Sequence, residues 1–341
     1  DNLDRYLLGR QFMVVLIVFV VNQCGSPLAG SELWGLPPVL TNIFLVTGLA
    51  MVLFTCVIGQ LNSQVNGCHC MLDYSNNFLA LGTLYVAMAI EFSGLLHASY
   101  LIQMLVAYIA GKPVESQEEP RNTMQNIFFW GRCLMSLGIL GFAFAVTLTA
   151  VVQGKTTMWA GVPPAASIVI FFVLMSLVGM LEGMQIAFFA VIKLTKAERG
   201  DSFFAKKTCE VLFRGEGRNL PAFMVGRQIC VVTIMFVVAR ITSLKIVPGE
   251  GNNLFGVSDT IQNLFNTGLL GALITTIVGS IAWQLVASIF PIAFLSNPLT
   301  YILLRYCLLL EWTGLCHGAW FLAEIHSRVA GFQRDEVYVG K

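Results

Sequence analysis

The residue types best suited to chemistry sit deep in apolar sequence. Glu182 and Gln185, in Glu182-Gly183-Met184-Gln185, lie inside the apolar run 165–194. Three residues apart on a helix, they share a face. An ionisable side chain at membrane depth costs about 2.5–3.5 kcal/mol even on lenient insertion scales, so it marks a functional site by default. Its plainer role is a structural ion pair with an arginine such as Arg227. Gly9-Arg10-Gln11 and Gly226-Arg227-Gln228 place two more polar pairs in apolar runs. A lone arginine there is usually an anchor that snorkels to the interface. Two at matching positions, each followed by glutamine, are harder to read as anchors. Glutamine both donates and accepts, which suits a neutral, hydroxyl-rich solute. Glu91 and Glu311 also stand in apolar sequence. Each is a candidate cation or proton site, or merely a paired carboxylate.

These residues come in pairs because the chain repeats itself. Val14-Val15 and Phe19-Val20-Val21 return as Val231-Val232 and Phe236-Val237-Val238, at the offset of 217 (226 − 9) that also relates the Gly-Arg-Gln triplets. Glu91-Phe92-Ser93-Gly94-Leu95-Leu96-His97-Ala98 returns as Glu311-Trp312-Thr313-Gly314-Leu315-Cys316-His317-Gly318, an offset of 220 (311 − 91). Thr47-Gly48-Leu49 returns at that offset as Thr267-Gly268-Leu269. A difference of three residues between blocks is what a loop insertion leaves. Such self-similarity marks two copies of one unit.

Hydrophobic residues make up 56% of the 341 and charged residues 11%, against roughly 25% charged in soluble domains. Mean hydropathy is +0.75. Several apolar runs reach the roughly 20 residues that cross a bilayer, so the chain is an all-α polytopic membrane protein. Helices are the expected spanning elements because lipid cannot satisfy bare backbone polar groups. A net charge of +1 gives no reason to expect a nucleic-acid partner. The nine cysteines are scattered and form no disulfide framework.

The expected spans are 6–23, 39–59, 77–110, 124–152, 165–194, 221–242, 263–290 and 298–325. Residues 61–76 read as a polar hairpin, and 77–110 is too long for one upright crossing, so it is tilted or broken near Ser93-Gly94. Five steps separate the first span from the sixth. An odd number reverses direction, giving the inverted-repeat plan of secondary transporters with a midplane site at the repeat interface. The expected division is 1–123 for the first repeat, 124–325 for the second and 326–341 for a polar tail. The position 217 before Glu182 falls before residue 1, so the first repeat is expected to be N-terminally incomplete. That leaves about eight spans of two five-helix units. The basic stretch 193–218 favours the cytosolic side under the positive-inside rule. Glu91, Gly94 and Ala98 are expected on one packing stripe, as are Glu311, Gly314 and Gly318, with His97 turned off that face. Cys68, His69, Cys70 and Asp73 are zinc-ligand types, but their spacing is weak and the second copy lacks them. A hydrolase using Glu311 and His317 has no converging nucleophile, so no enzyme is expected. A purely structural scaffold is disfavoured by charges deep in matched spans.

Glu-Gly-x-Gln at 182–185, Gly-Arg-Gln at 9–11 and 226–228, and Cys70-Met71-Leu72-Asp73 together resemble the diatom silicon (silicic acid) transporters, over the whole chain. The resemblance implies a ten-helix, sodium-coupled symporter for orthosilicic acid working by alternating access. It implies substrate contacts at Glu182, Gly183, Gln185, Gly226, Arg227, Gln228, Gly9, Arg10 and Gln11. Sodium would be the coupling ion, with Glu91 and Glu311 as candidate ligands, and the loop of Cys70 and Asp73 would carry a proposed zinc role. The plasma membrane is the implied location, with intracellular silica-depositing vesicles as the alternative. Two departures stand out: a first Glu-Gly-x-Gln and a long C-terminal coiled coil are not in this sequence. The competing reading is a sodium-independent channel or carrier for silicic acid or another small neutral solute such as boric acid. The family topology, with both ends cytosolic, would place 195–220 outside, against the charge rule, so orientation stays open.

Overall fold

The computed structural model describes residues 2–25, 35–111, 121–194, 202–214 and 218–335. The principal helices are α1 (Asn2–Cys24), α2 (Leu49–His69), α3 (Met71–Ser75), α4 (Phe78–Phe92), α5 (Ala98–Ile109), α6 (Thr123–Val152) and α7 (Pro164–Ile192). They continue with α8 (Phe203–Leu212), α9 (Asn219–Thr242), α10 (Leu269–Ile289), α11 (Pro298–Trp312) and α12 (Gly318–Ala330). Among the described residues α1, α2, α6, α7, α9 and α10 are long and apolar enough to cross a membrane. The pairs α4–α5 and α11–α12 are two further stretches, each split in the middle. The chain is an all-α polytopic membrane protein.

Local sequence sets the ends. Asn77 caps α4 by accepting from Ala80 N at 2.8 Å, and Asn122 and Gln125 form a capping box on α6. Proline at the first helical position opens α7 and α11, where a missing N–H costs nothing. Gly94 and Gly314 hold φ of +80° and +74°, left-handed backbone that favours glycine. Each ends a helix and lets the chain turn through 93–97 or 313–317 into the next.

The sequence echo reappears in the backbone. α2 and α10 both follow a left-handed glycine, Gly48 or Gly268, and both relax into π-helical turns, Thr55–Leu61 and Thr275–Ile281. Both end at a residue in the same unusual conformation, Cys70 (φ −131°, ψ 45°) and Phe290 (φ −121°, ψ 49°). Packing crosses between the two halves. α9 lies against the π turns of α2, and α1 against those of α10. In the same way α12 packs on residues 62–69 and α5 on residues 282–289. The largest apolar cluster gathers around α7, α9 and α10, with Phe188, Phe223, Met184 and Ile274 fully enclosed.

Three expectations need correction. Residues 61–69 do not form a hairpin; they continue α2 to His69, and the chain turns only at Cys70. A polar stretch stays helical here because α12 packs along it and Asn66 bonds His326 at 3.1 Å. The stripes Glu91-Gly94-Ala98 and Glu311-Gly314-Gly318 are not continuous helix faces, because both helices break at the glycine. The same break turns His97 back toward Glu91 instead of away from it. The connection 195–220 contains α8; residues 195–201 and 215–217 lie outside the described residues.

Candidate functional site

Gly226 and Gly9 set the close approach that builds the site. A Cβ on Gly226 would stand 1.9 Å from the carbonyl oxygen of Cys307, and one on Gly9 1.9 Å from that of Ala87. Only glycine lets α9 press on α11, and α1 on α4, at this distance. The next residues, Arg227 and Gln228, are thereby driven inward, at 4% and 6% exposure.

Arg227 meets Glu182 of α7, with Nη1 3.2 Å from Oε1. Its Nη2 donates to Gln228 Oε1 at 3.2 Å. Gln284 of α10 donates through Nε2 to the other oxygen of Glu182 at 2.8 Å. Gln64 of α2 donates to Gln228 Oε1 at 3.4 Å. The Cys56 thiol, in the π turns of α2, donates to the Gln228 carbonyl at 3.7 Å. One polar chain therefore runs Gln284–Glu182–Arg227–Gln228–Gln64 and ties four helices together. Buried ions are tolerated only when paired and hydrogen-bonded in this way. Unused capacity remains: Arg227 Nε and Gln60 Oε1 are buried with no hydrogen-bond partner.

Gln64 and Gln284 are related by the offset of 220 (284 − 64), and each reaches a motif residue from a π-bearing helix. Sequence reasoning singled out neither. Their matched spacing was the available signal, hidden because Gln64 fell in the stretch read as a hairpin.

The other expected residues are distributed differently. Gln185 is half-buried and makes no side-chain hydrogen bond among the described residues. Gly183 faces Phe294, whose ring would lie 2.3 Å from a Cβ there, so it serves helix packing. Gln11 is buried at 7%. Arg10 is half-buried and has no carboxylate partner among the described residues. Glu91 is buried, 3.7 Å from His97 Nε2 and 4.0 Å from Arg5 Nε. Its counterpart Glu311 lies 3.4 Å from His317 Nε2, and Ala222 stands where the 217 offset (222 − 5) would put an arginine.

The Cys70–Asp73 segment is engaged by Gln333 and Asp335. Asp335 accepts from Met71 N at 2.8 Å and Leu72 N at 2.9 Å, capping α3, while Asp73 accepts from Gln333 N at 2.7 Å. Cys70 is buried. No group of three or more metal-ligand side chains converges among the described residues.

The silicon transporter family model matches residues 1–341. No curated protein and no solved structure matches the chain.

Proposed function

Because the chain belongs to the silicon transporter family, with a role in silicic acid transport across a membrane, we propose that it is a sodium-coupled symporter for orthosilicic acid. The observation that carries the reading is the polar chain Gln284–Glu182–Arg227–Gln228–Gln64. It lies on the family-like motifs and joins α2 from one half of the chain to α7, α9 and α10 from the other.

Orthosilicic acid is small, tetrahedral and uncharged at neutral pH. Its four hydroxyls each donate and accept, so a dry site must offer both kinds of partner or leave costly unpaired groups. Three glutamines, one arginine and one carboxylate supply both. Glu182 and Gln228 Oε1 accept hydrogen bonds from substrate hydroxyls; Gln64, Gln284 and Arg227 donate hydrogen bonds to hydroxyl oxygens. Gln11, from the matching helix α1, is the residue we assign to the mirrored contact, with Arg10 beside it. Gly9, Gly183 and Gly226 hold the helices close enough for these side chains to converge.

The crossed packing is compatible with an alternating-access cycle. The two halves rock against each other, and the site at their interface faces one side and then the other. Sodium needs oxygen ligands, which carboxylates and the carbonyls freed at helix breaks provide. Of the two candidates, Glu311 is the better one. It sits beside the 313–317 break with no arginine paired to it among the described residues, whereas Arg5 already compensates Glu91. With a neutral substrate and a charged ion, uptake is electrogenic.

The test is uptake of radiolabelled germanic acid, a silicic acid analogue, by the purified protein in liposomes, with and without an inward sodium gradient. Sodium-dependent uptake competed by silicic acid is the expected result. Uptake indifferent to sodium would replace the symporter with a channel or facilitator.

A further inference from the structure

A second charged site lies away from the polar chain. Arg214, after α8, and Arg305, midway along α11, line one surface cavity of about 250 Å³ together with Asn219, Leu308, Leu309 and Trp312. Neither arginine has an ion-pair partner among the described residues, and both are exposed. The Asn219 side-chain amide donates to the Val211 carbonyl. That bond pins the end of α8 to the start of α9, beside Arg214.

The position is unusual for a cation. Ile302 and Leu309, which flank Arg305 along α11, are exposed, and an unpaired arginine on an apolar face that meets lipid is costly. The cost falls if the guanidinium reaches up to an anion at the interface. Asn219 is the first residue of α9, so the cavity lies beside the end of a candidate span, where headgroups are within reach of a long side chain. Trp312, which also lines the cavity, is 79% exposed. Two guanidiniums from separate elements match the oxygens of a phosphate group, and Leu308 and Leu309 offer an apolar wall below them. The site belongs to the second half alone: the 220 offset (305 − 220) puts Tyr85 where Arg305 stands.

We propose that this cavity binds the phosphate headgroup of an anionic phospholipid, with Arg214 and Arg305 on the phosphate and Leu308 and Leu309 along the acyl chain. The inference rests on membrane embedding and is independent of the transported substrate. Basic pockets of this kind between membrane helices take anionic headgroups.

The test adds phosphatidylglycerol, phosphatidylcholine or inorganic phosphate to the detergent-purified protein and follows thermal midpoint and retained lipid by native mass spectrometry. Phosphatidylglycerol should raise the midpoint saturably and stay bound one to one, while phosphatidylcholine and phosphate do neither. Arg305→Gln should weaken that binding roughly fivefold to tenfold. Arg214→Gln, outside the helices, should do the same and serves if Arg305→Gln fails to fold. Equal effects of the two lipids, or unchanged binding in Arg214→Gln, would overturn the proposal and leave Arg305 as a snorkelling anchor. Stabilisation by inorganic phosphate alone would overturn the lipid assignment in favour of a soluble anion.

Discussion

The two Gly-Arg-Gln helices share one backbone environment and differ in what their arginines meet. On α9 the glycine closes on the Cys307 carbonyl and Arg227 is sealed against Glu182. On α1 the glycine closes on the Ala87 carbonyl at the same distance, yet Arg10 remains half-buried without a carboxylate among the described residues. The Glu–His pairs differ the other way. Glu91 and His97 are buried with Arg5 nearby, while Glu311 and His317 are more open and have no arginine paired to them among the described residues. Two segments alike in sequence and backbone thus carry unequal electrostatics. The second half holds the closed Glu182–Arg227 pair and the more open carboxylate, Glu311. Helix approach is the property both halves keep.

Breaking Glu182–Arg227 should give the largest effect. Glu182→Gln leaves a buried arginine uncompensated, a loss of about 3–5 kcal/mol where a buried pair is broken. Uptake should collapse and the thermal midpoint fall, whereas Arg10→Gln should lower the midpoint only slightly. Equal losses in the two variants would erase the difference between the halves. Gly226→Ala and Gly9→Ala probe what the halves share. Each forces a methyl onto a backbone carbonyl, and overpacking of this kind costs about 1–3 kcal/mol or more. Both should reduce folded yield to a similar degree.

Smaller effects sharpen the account of transport. Glu311→Gln should raise the sodium concentration needed for half-maximal uptake by roughly fivefold or more, the equivalent of one kcal/mol-scale contact. Glu91→Gln should change it less. Initial rates against a sodium titration would decide this, and a larger shift in Glu91→Gln would reverse the assignment. The smallest effect is expected at Asp335. Asp335→Ala removes the cap on α3 and should cost about 0.5–2 kcal/mol of stability, with the affinity for germanic acid unchanged. A thermal melt beside an uptake curve separates the two.

Much of this was legible in the sequence, and the parts that were not share a cause. Apolar run lengths located α1, α6, α7 and α9 closely, since span length is set by bilayer thickness. The cost of a buried charge pointed to Glu182, and the ion pair with Arg227 named as its plainer role is present at 3.2 Å. What failed was the assumption of straight helices. A glycine at positive φ rotates everything after it, so periodicity wrongly placed His97 off the Glu91 face and drew a Glu91-Gly94-Ala98 stripe. The π turns have a similar effect in α2 and α10, widening the helix and changing which side chains face inward. Gln64 and Gln284 owe their place to that geometry and to contacts between halves, neither of which single-helix patterning can show.

The most direct test of the central claim is the concentration dependence of germanic acid uptake by wild-type protein and by Gln228→Ala, in liposomes with protein of equal thermal stability. Gln228 accepts from both Arg227 and Gln64, so its loss should raise KM about 5- to 30-fold, the range expected for one or two hydrogen bonds, with the maximal rate largely kept. Gln64→Leu should shift KM in the same direction by less. Wild-type kinetics in a stable Gln228→Ala protein would contradict the account and remove the substrate from this network.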